Sequence, residues 1–365
     1  MRQSFIPASL RPTVGGPKVS QASDLIDNPD LLILAGSDDP TATYFAAFAR
    51  QEGVRLATVF LDDPLIWPAL TLVGDDLPLW LRAGGIYLRA PTEPTASTLA
   101  AVIADLLSLS PTRLISPFSP ECLNASKPLQ TAHYATRDGP EGTAVTQPLT
   151  HIRTAHTLNN LDATRHVVKS LSGVRSEVVL LSDPRLRTQG NVAQMPVQAQ
   201  DYIEGRDIRV HVVDGRVSAV EIVSDSIDWR YGSAADIRAW RLPEAVANWC
   251  VAAAREEGLI FAGVDLVVRA DENYVCLEIN PMPGYDYFES LLVDQGEPAE
   301  ISQWLLVYLL GESVPNVAPR GQLSPTRSIS TLAGGSGGGA SVTAPRMPPV
   351  GIRSGSASAV RWADS

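Results

Sequence analysis

The stretch YVCLEINPMPGYDYFE, residues 274–289, places two polar side chains, Glu278 and Asn280, inside an apolar run that otherwise reads as a buried strand. Just upstream, GVDLVVRADENYVCLEIN reads as a hairpin turning at Asp271 and Glu272, a register that sets Asp265 opposite Glu278. Directly opposed residues have Cβ atoms about 4.5–5.5 Å apart, and Asn280, two residues on, shares the face of Glu278. Facing carboxylates repel unless a cation lies between them, and a set of Asp, Glu and Asn offers only oxygens, the ligands Mg²⁺ prefers. An ion held this way keeps positions open for phosphate oxygens, so the next residues to find are those that would hold phosphate.

The lysines are candidates. Only three of the 29 basic residues are lysine, namely Lys18, Lys127 and Lys169, so arginine is the default cation of this chain. A lysine kept against that habit suits a site that needs one compact charge on a phosphate rather than a planar fork. Lys169 lies in HVVKSLSGVRSEVVLL, where Val167, Lys169 and Leu171 share a strand face and Ser170–Ser176 forms a small turn able to close over phosphates. In DIRVHVVDGRVSAVEIV the Asp214-Gly215 pair is a two-residue turn signal that sets Arg209 against Val220. Asp207, Arg209 and His211 then share one face.

The elements that must position these residues follow from the hydrophobic pattern. Leu31–Ala35 reads as a buried strand, Gly36–Pro40 as a turn with a helix cap, and residues 41–53 as an amphipathic helix. Strands are expected in VRLATVFL, GGIYLRA (84–90) and TRLISP (112–117), with a helix over about 95–109, an alternation that predicts a small parallel-sheet α/β domain over 29–120. A second unit, 121–312, opens with a helix through SKPLQTAHYATRDG and continues in strands and hairpins. Residues 1–28 read as a flexible leader. Residues 313–365 form a Gly/Ser/Pro-rich tail that cannot bury a core and is expected to be disordered.

Composition narrows the function. With 365 residues and 45% hydrophobic content the chain can build two globular units. Its net charge is −11, and the tail, with five arginines against one aspartate, is basic, leaving an acidic body that argues against nucleic-acid and anionic-membrane partners. Cys122, Cys250 and Cys276 are odd in number and lie in apolar surroundings, which fits reduced core thiols. No apolar run is long enough to span a bilayer, and the first residues lack a signal-peptide core, so a cytoplasmic location is expected.

Taken in order, VVKSLSG, QDYIEGRDIRVHVV, DSIDWR, GVDLVV and LEINPMPG resemble the ATP-grasp enzymes, specifically the RimK-like carboxylate-amine ligases and the related graspetide macrocyclases, over roughly residues 121–312. The resemblance implies an α/β (α+β) chain: an ATP-grasp fold preceded by a small parallel-sheet domain. It implies that Lys127 and Lys169 hold the nucleotide phosphates, that Gln200, Asp201 and Ile203 sit at the adenine, and that Glu204 or Asp207 binds the ribose. It implies Asp265, Glu278 and Asn280 as ligands of Mg²⁺, two ions expected and Mn²⁺ able to substitute, and Arg230 with Arg209 on the transferring phosphate. The implied reaction is ADP-forming ligation of a carboxylate to an amine or peptide acceptor. A peptide macrocyclase and a non-catalytic nucleotide-binding protein are the competing readings. The second would show decay of a metal ligand or phosphate lysine, and none has decayed.

Overall fold

The computed structural model describes residues 29–63, 81–135, 145–171, 178–184, 186, 196–231 and 236–311, all within one compact unit. The expected leader, the expected tail and most of the Ser170–Ser176 turn lie outside the described residues.

The first sheet has four parallel strands in the order Leu56–Phe60, Leu31–Ala35, Gly85–Leu88, Arg113–Ile115. Its centre, LLILA, is buried along its whole length because helices cover both faces. Leu32 and Leu34 pack on Ala96, Ala100, Ile103 and Leu107 of the helix Pro94–Leu107, which Glu93 caps by accepting from Thr95 N and Ala96 N. Leu31 and Ile33 face the other way, towards the helix Pro40–Gln51, capped by Asp39 with Pro40 in its first turn. The same core takes in Ile301, Leu305, Leu306 and Leu309 of the helix Glu300–Leu310, together with Val213, Phe261 and Tyr285. The last described helix therefore covers the first sheet.

A six-stranded sheet runs Asp236–Ala239, Arg216–Val223, Arg206–Val213, Phe261–Val268, Tyr274–Asn280, Val145–Thr146. Ile208, Val210, Val212, Val264, Leu266 and Ile279 lie on one face against Val246, Trp249, Cys250 and Ala253 of the helix Glu244–Glu256. A four-stranded sheet runs Thr150–Arg153, Val197–Asp201, His166–Ser170, Val179–Leu180. Its Val168, Val197 and Ala199 pack outward on Leu158, which leaves Val167, Lys169, Gln198 and Gln200 on the opposite face.

The first hairpin has the expected register, with Arg209 on Val220 and the turn residues Asp214 and Gly215 both at positive φ, 46° and 81°. The second differs from expectation in a way that cancels. Its loop spans three residues, Ala270 to Glu272, closed by Arg269 N on Asn273 O with Glu272 at φ 61°, so the strand ends pair one residue out of the expected register. A β-bulge then takes up Leu277 between the Leu266–Cys276 and Asp265–Glu278 pairs, and restores Asp265 opposite Glu278.

Candidate active site

The six-stranded sheet carries a row of side chains across four strands on the face away from the helix Glu244–Glu256: Val220, Arg209, Asp265, Glu278. Arg209 Nη1 lies 2.6 Å from Asp265 Oδ1, and Arg209 is only 6% exposed. The next row holds His211, Gly263 and Asn280. Gly263 is required there: a Cβ would stand 2.6 Å from Arg209 Nη2 and 2.7 Å from Pro283 Cβ, so the missing side chain is the space in which the guanidinium lies.

Lys127 opens the helix Lys127–Ala135, its backbone N–H held by Leu171 O, and its Nζ is 3.0 Å from the Glu278 carboxylate. Asn124 Nδ2 donates to Glu278 Oε1 at 3.0 Å and to Ile279 O at 2.7 Å. Burial alone would raise the Glu278 carboxyl, but Lys127, the Asn124 hydrogen bond and Lys169 bring it below its ordinary value. Gln130 pins the same strand from behind, exchanging bonds with Ile279 N and Ile279 O. Lys169 reaches across from the other sheet to 3.5 Å from Leu277 O, the carbonyl of the bulge residue. Its near-complete burial pushes its ammonium down to about 8 against the pull of Glu278.

Asp207, two residues along the strand from Arg209 and on the same face, has its carboxyl pushed up to about 6 by burial and by the charges of Asp265 and Asp228. Carboxylates crowd here, and all the candidate ligand atoms are oxygens, a donor set that fits Mg²⁺. Among the described residues no cluster of three or more His, Cys, Asp or Glu side chains gathers as a metal site, so the candidate set is two carboxylates and an amide. Asn280 Oδ1 also accepts from Met282 N at 2.8 Å, which turns the chain sharply after the strand.

Other expected residues sit further out. Gln200 is buried and donates to Thr150 Oγ1, and Asp201 pairs with His166 at 3.3 Å. Ile203 is half-buried and Glu204 is exposed. Arg230, on the short 3₁₀ turn Trp229–Tyr231, forks onto Asp228, whose Oδ2 also accepts from Val178 N. Three positioning residues escaped the sequence reading: Asn124, Gly263 and Arg89. Arg89, at the end of a first-sheet strand, bonds Asp39 at 2.7 Å, Tyr87 Oη and Pro283 O, and so clasps the turn after Asn280. All three act through partners far away in sequence, which leaves no local pattern to read.

The fold, as distinct from the site, has counterparts among known proteins. Residues 151–296 match the family model of the RimK-like ATP-grasp domain. No curated protein matches the sequence. Among solved structures the chain is similar to the ATP-grasp ligase PsnB complexed with a minimal precursor, at TM-score 0.58 and 22% identity over 78% of this chain and 100% of that one. PsnB complexed with minimal precursor, Mg and ADP aligns at 0.58 and 21%, covering 77% and 97%. The macrocyclase MdnC from Microcystis aeruginosa MRC, bound with its precursor peptide MdnA, aligns at 0.57 and 17%, covering 77% and 99%. The described chain thus has the ATP-grasp fold, and residues 151–296 within it match the RimK-like ATP-grasp domain.

Proposed function

We propose that this protein is an ATP-dependent ligase that activates a carboxylate as an acyl phosphate and passes the acyl group to an amine or hydroxyl, with a peptide as substrate. The observation that carries the reading is the ladder Arg209, Asp265, Glu278, which sets two carboxylates face to face between Arg209 on one side and Lys127 on the other while Lys169 reaches the same strand from the opposing sheet. The precursor peptides bound to PsnB and MdnC support the peptide part. Intact phosphate lysines and metal ligands speak against a protein that only binds nucleotide.

In this reading a carboxylate oxygen attacks the γ-phosphorus, the bond to the β-γ bridging oxygen breaks, and ADP leaves. The amine or hydroxyl then attacks the acyl carbon, the bond to phosphate breaks, and the nucleophile gives up its proton. Lys127 and Lys169 hold the nucleotide phosphates, and Arg209 and Arg230 steady the group in transfer where charge develops. Gln200, Asp201 and Ile203 border the base, and Glu204 or Asp207 the ribose. The Ser170–Ser176 segment keeps water from the acyl phosphate. Mg²⁺ at Asp265, Glu278 and Asn280, as one ion or two and with Mn²⁺ as substitute, would neutralise the phosphate oxygens.

The test is incubation with ATP, Mg²⁺ and either mixed amino acids or peptides bearing both acidic and Lys, Ser or Thr side chains, reading ADP and product mass. A peptide lighter by one water, formed in step with ADP, is the expected result. ATP binding without ADP release from any mixture would leave only a nucleotide-binding protein.

A further inference from the structure

The face of the four-stranded sheet that carries Lys169 also carries Gln198, and the two are directly opposed on neighbouring strands. Gln198 is fully buried, yet neither its Oε1 nor its Nε2 has a hydrogen-bond partner among the described residues. Native proteins rarely keep a buried primary amide with both ends unsatisfied unless something else completes it. Gln200, two residues on and on the same face, does have its partner in Thr150, so the deficit is particular to Gln198. A second amide nitrogen, Gln147 Nε2, is likewise buried without a hydrogen-bond partner among the described residues.

We propose that Gln198 is a base-specificity residue: Oε1 accepts from the N6 amino group of adenine and Nε2 donates to N7. The inference rests on the ATP-dependent reading above and deepens it. Gln198 stands between Lys169, across the ladder, and the Gln200–Ile203 segment that ends the same strand. At about 3.3 Å per residue it is about 10 Å along the strand from Asp201, within reach of a purine held at that segment. A base whose Watson–Crick edge meets the strand end still presents N7 and the second N6 hydrogen. A glutamine amide complements that pair of groups, one acceptor for one donor on each side. A purine with oxygen at position 6 presents two acceptors instead. Turning the amide over to meet them leaves Oε1 buried without a donor.

The assignment is tested by calorimetric binding of MgATP and MgITP to the intact protein, wild type against Gln198→Leu and the nearly isosteric Gln198→Met. Wild type is expected to prefer ATP over ITP by at least about tenfold, and the preference to shrink by about tenfold in both variants. The nucleotide-free Tm should hold or rise, because the unsatisfied amide is gone. Wild type that binds ITP as tightly as ATP, or variants that keep the wild-type ratio, overturns the assignment. An unchanged ratio with a lower Tm identifies Gln198 as the partner of a buried water instead. Wild type that binds neither nucleotide defeats the ATP-dependent reading itself, so the two failures are distinct.

Discussion

At the scale of single residues, the proposed chemistry is tested at two positions, Lys169 and Gly263, where a near relative would not fit. Lys169 is 7% exposed and its ammonium ends beside the Leu277 carbonyl, a site shaped for one point charge. Lys169→Arg keeps the charge but brings a longer, planar head with five donors, so ADP release should fall by about 10² or more. Near-normal turnover would mean that Lys169 touches no phosphate. Gly263 tests Arg209 from outside the charged set. Gly263→Ala puts a methyl group where Arg209 Nη2 lies, and the arginine can escape only by giving up its 2.6 Å contact with Asp265. We expect the protein to fold and the rate to fall by about 10²-fold, the usual cost of one misplaced charged donor. An unaltered rate would remove Arg209 from the reaction. Glu278 and Asn280 were legible because polar groups in a buried strand demand partners. By the same logic the VQAQD alternation held a signal for Gln198 that went unread, whereas Gly263 is defined only by what another strand lays over it.

At the scale of elements, strands were legible wherever the apolar pattern dictated them, and their ends were not. The second hairpin shows why: a three-residue loop replaced the expected two-residue turn, and the bulge at Leu277 reversed the shift, so a correct pairing of Asp265 with Glu278 came from two compensating departures. Neither departure has a sequence signature, since Glu272 adopts positive φ without a glycine. Helix contacts add a testable pH dependence. Glu289, on the helix Asp286–Asp294, is 2% exposed and accepts from Ile301 N and Ser302 N at the start of the helix Glu300–Leu310, and from the Ser302 hydroxyl. Burial pushes its carboxyl up to about 7. The folded protein then binds this proton more tightly than the unfolded chain, so the stability it contributes is complete below the ordinary carboxyl range and is lost as pH rises towards 7. Over that window the loss is of order 3 kcal/mol, and it levels off above. Glu289→Gln keeps an acceptor for the backbone donors and cannot ionise, so its Tm relative to wild type should rise between about pH 5 and 7. Parallel Tm profiles for the two proteins would show that Glu289 does not titrate in this range.

At the scale of the whole molecule, the first sheet and the six-stranded sheet share a core, although the sequence reads as two units, 29–120 and 121–312, and we retain that division only as a proposal. The helix Glu300–Leu310 closes the Leu31 and Ile33 face of the first sheet, and Tyr285, Val213 and Phe261 join the same cluster from the other side. Arg89 and the Thr41–Asp286 hydrogen bond fasten that contact beside the turn that follows Asn280, so the polar clasp and the apolar core reinforce each other. A fragment of residues 29–120 would keep the helix Pro40–Gln51 but strip from the cluster of Leu31, Ile33, Phe45 and Tyr87 the cover supplied by Leu305, Leu306, Leu309, Phe261 and Tyr285, and a partly exposed apolar face of that kind does not hold a small sheet together. The fragment should therefore remain unfolded in isolation, while residues 29–311 fold. Leu306→Ala, at a fully buried position, should cost about 2–5 kcal/mol. Because the lost contacts belong to both sheets, the loss should lower one cooperative transition, followed together by aromatic fluorescence and by backbone circular dichroism, rather than split it in two. A stable, cooperatively melting 29–120 fragment would show instead that the first sheet is an autonomous domain and that the shared core is only a docking contact.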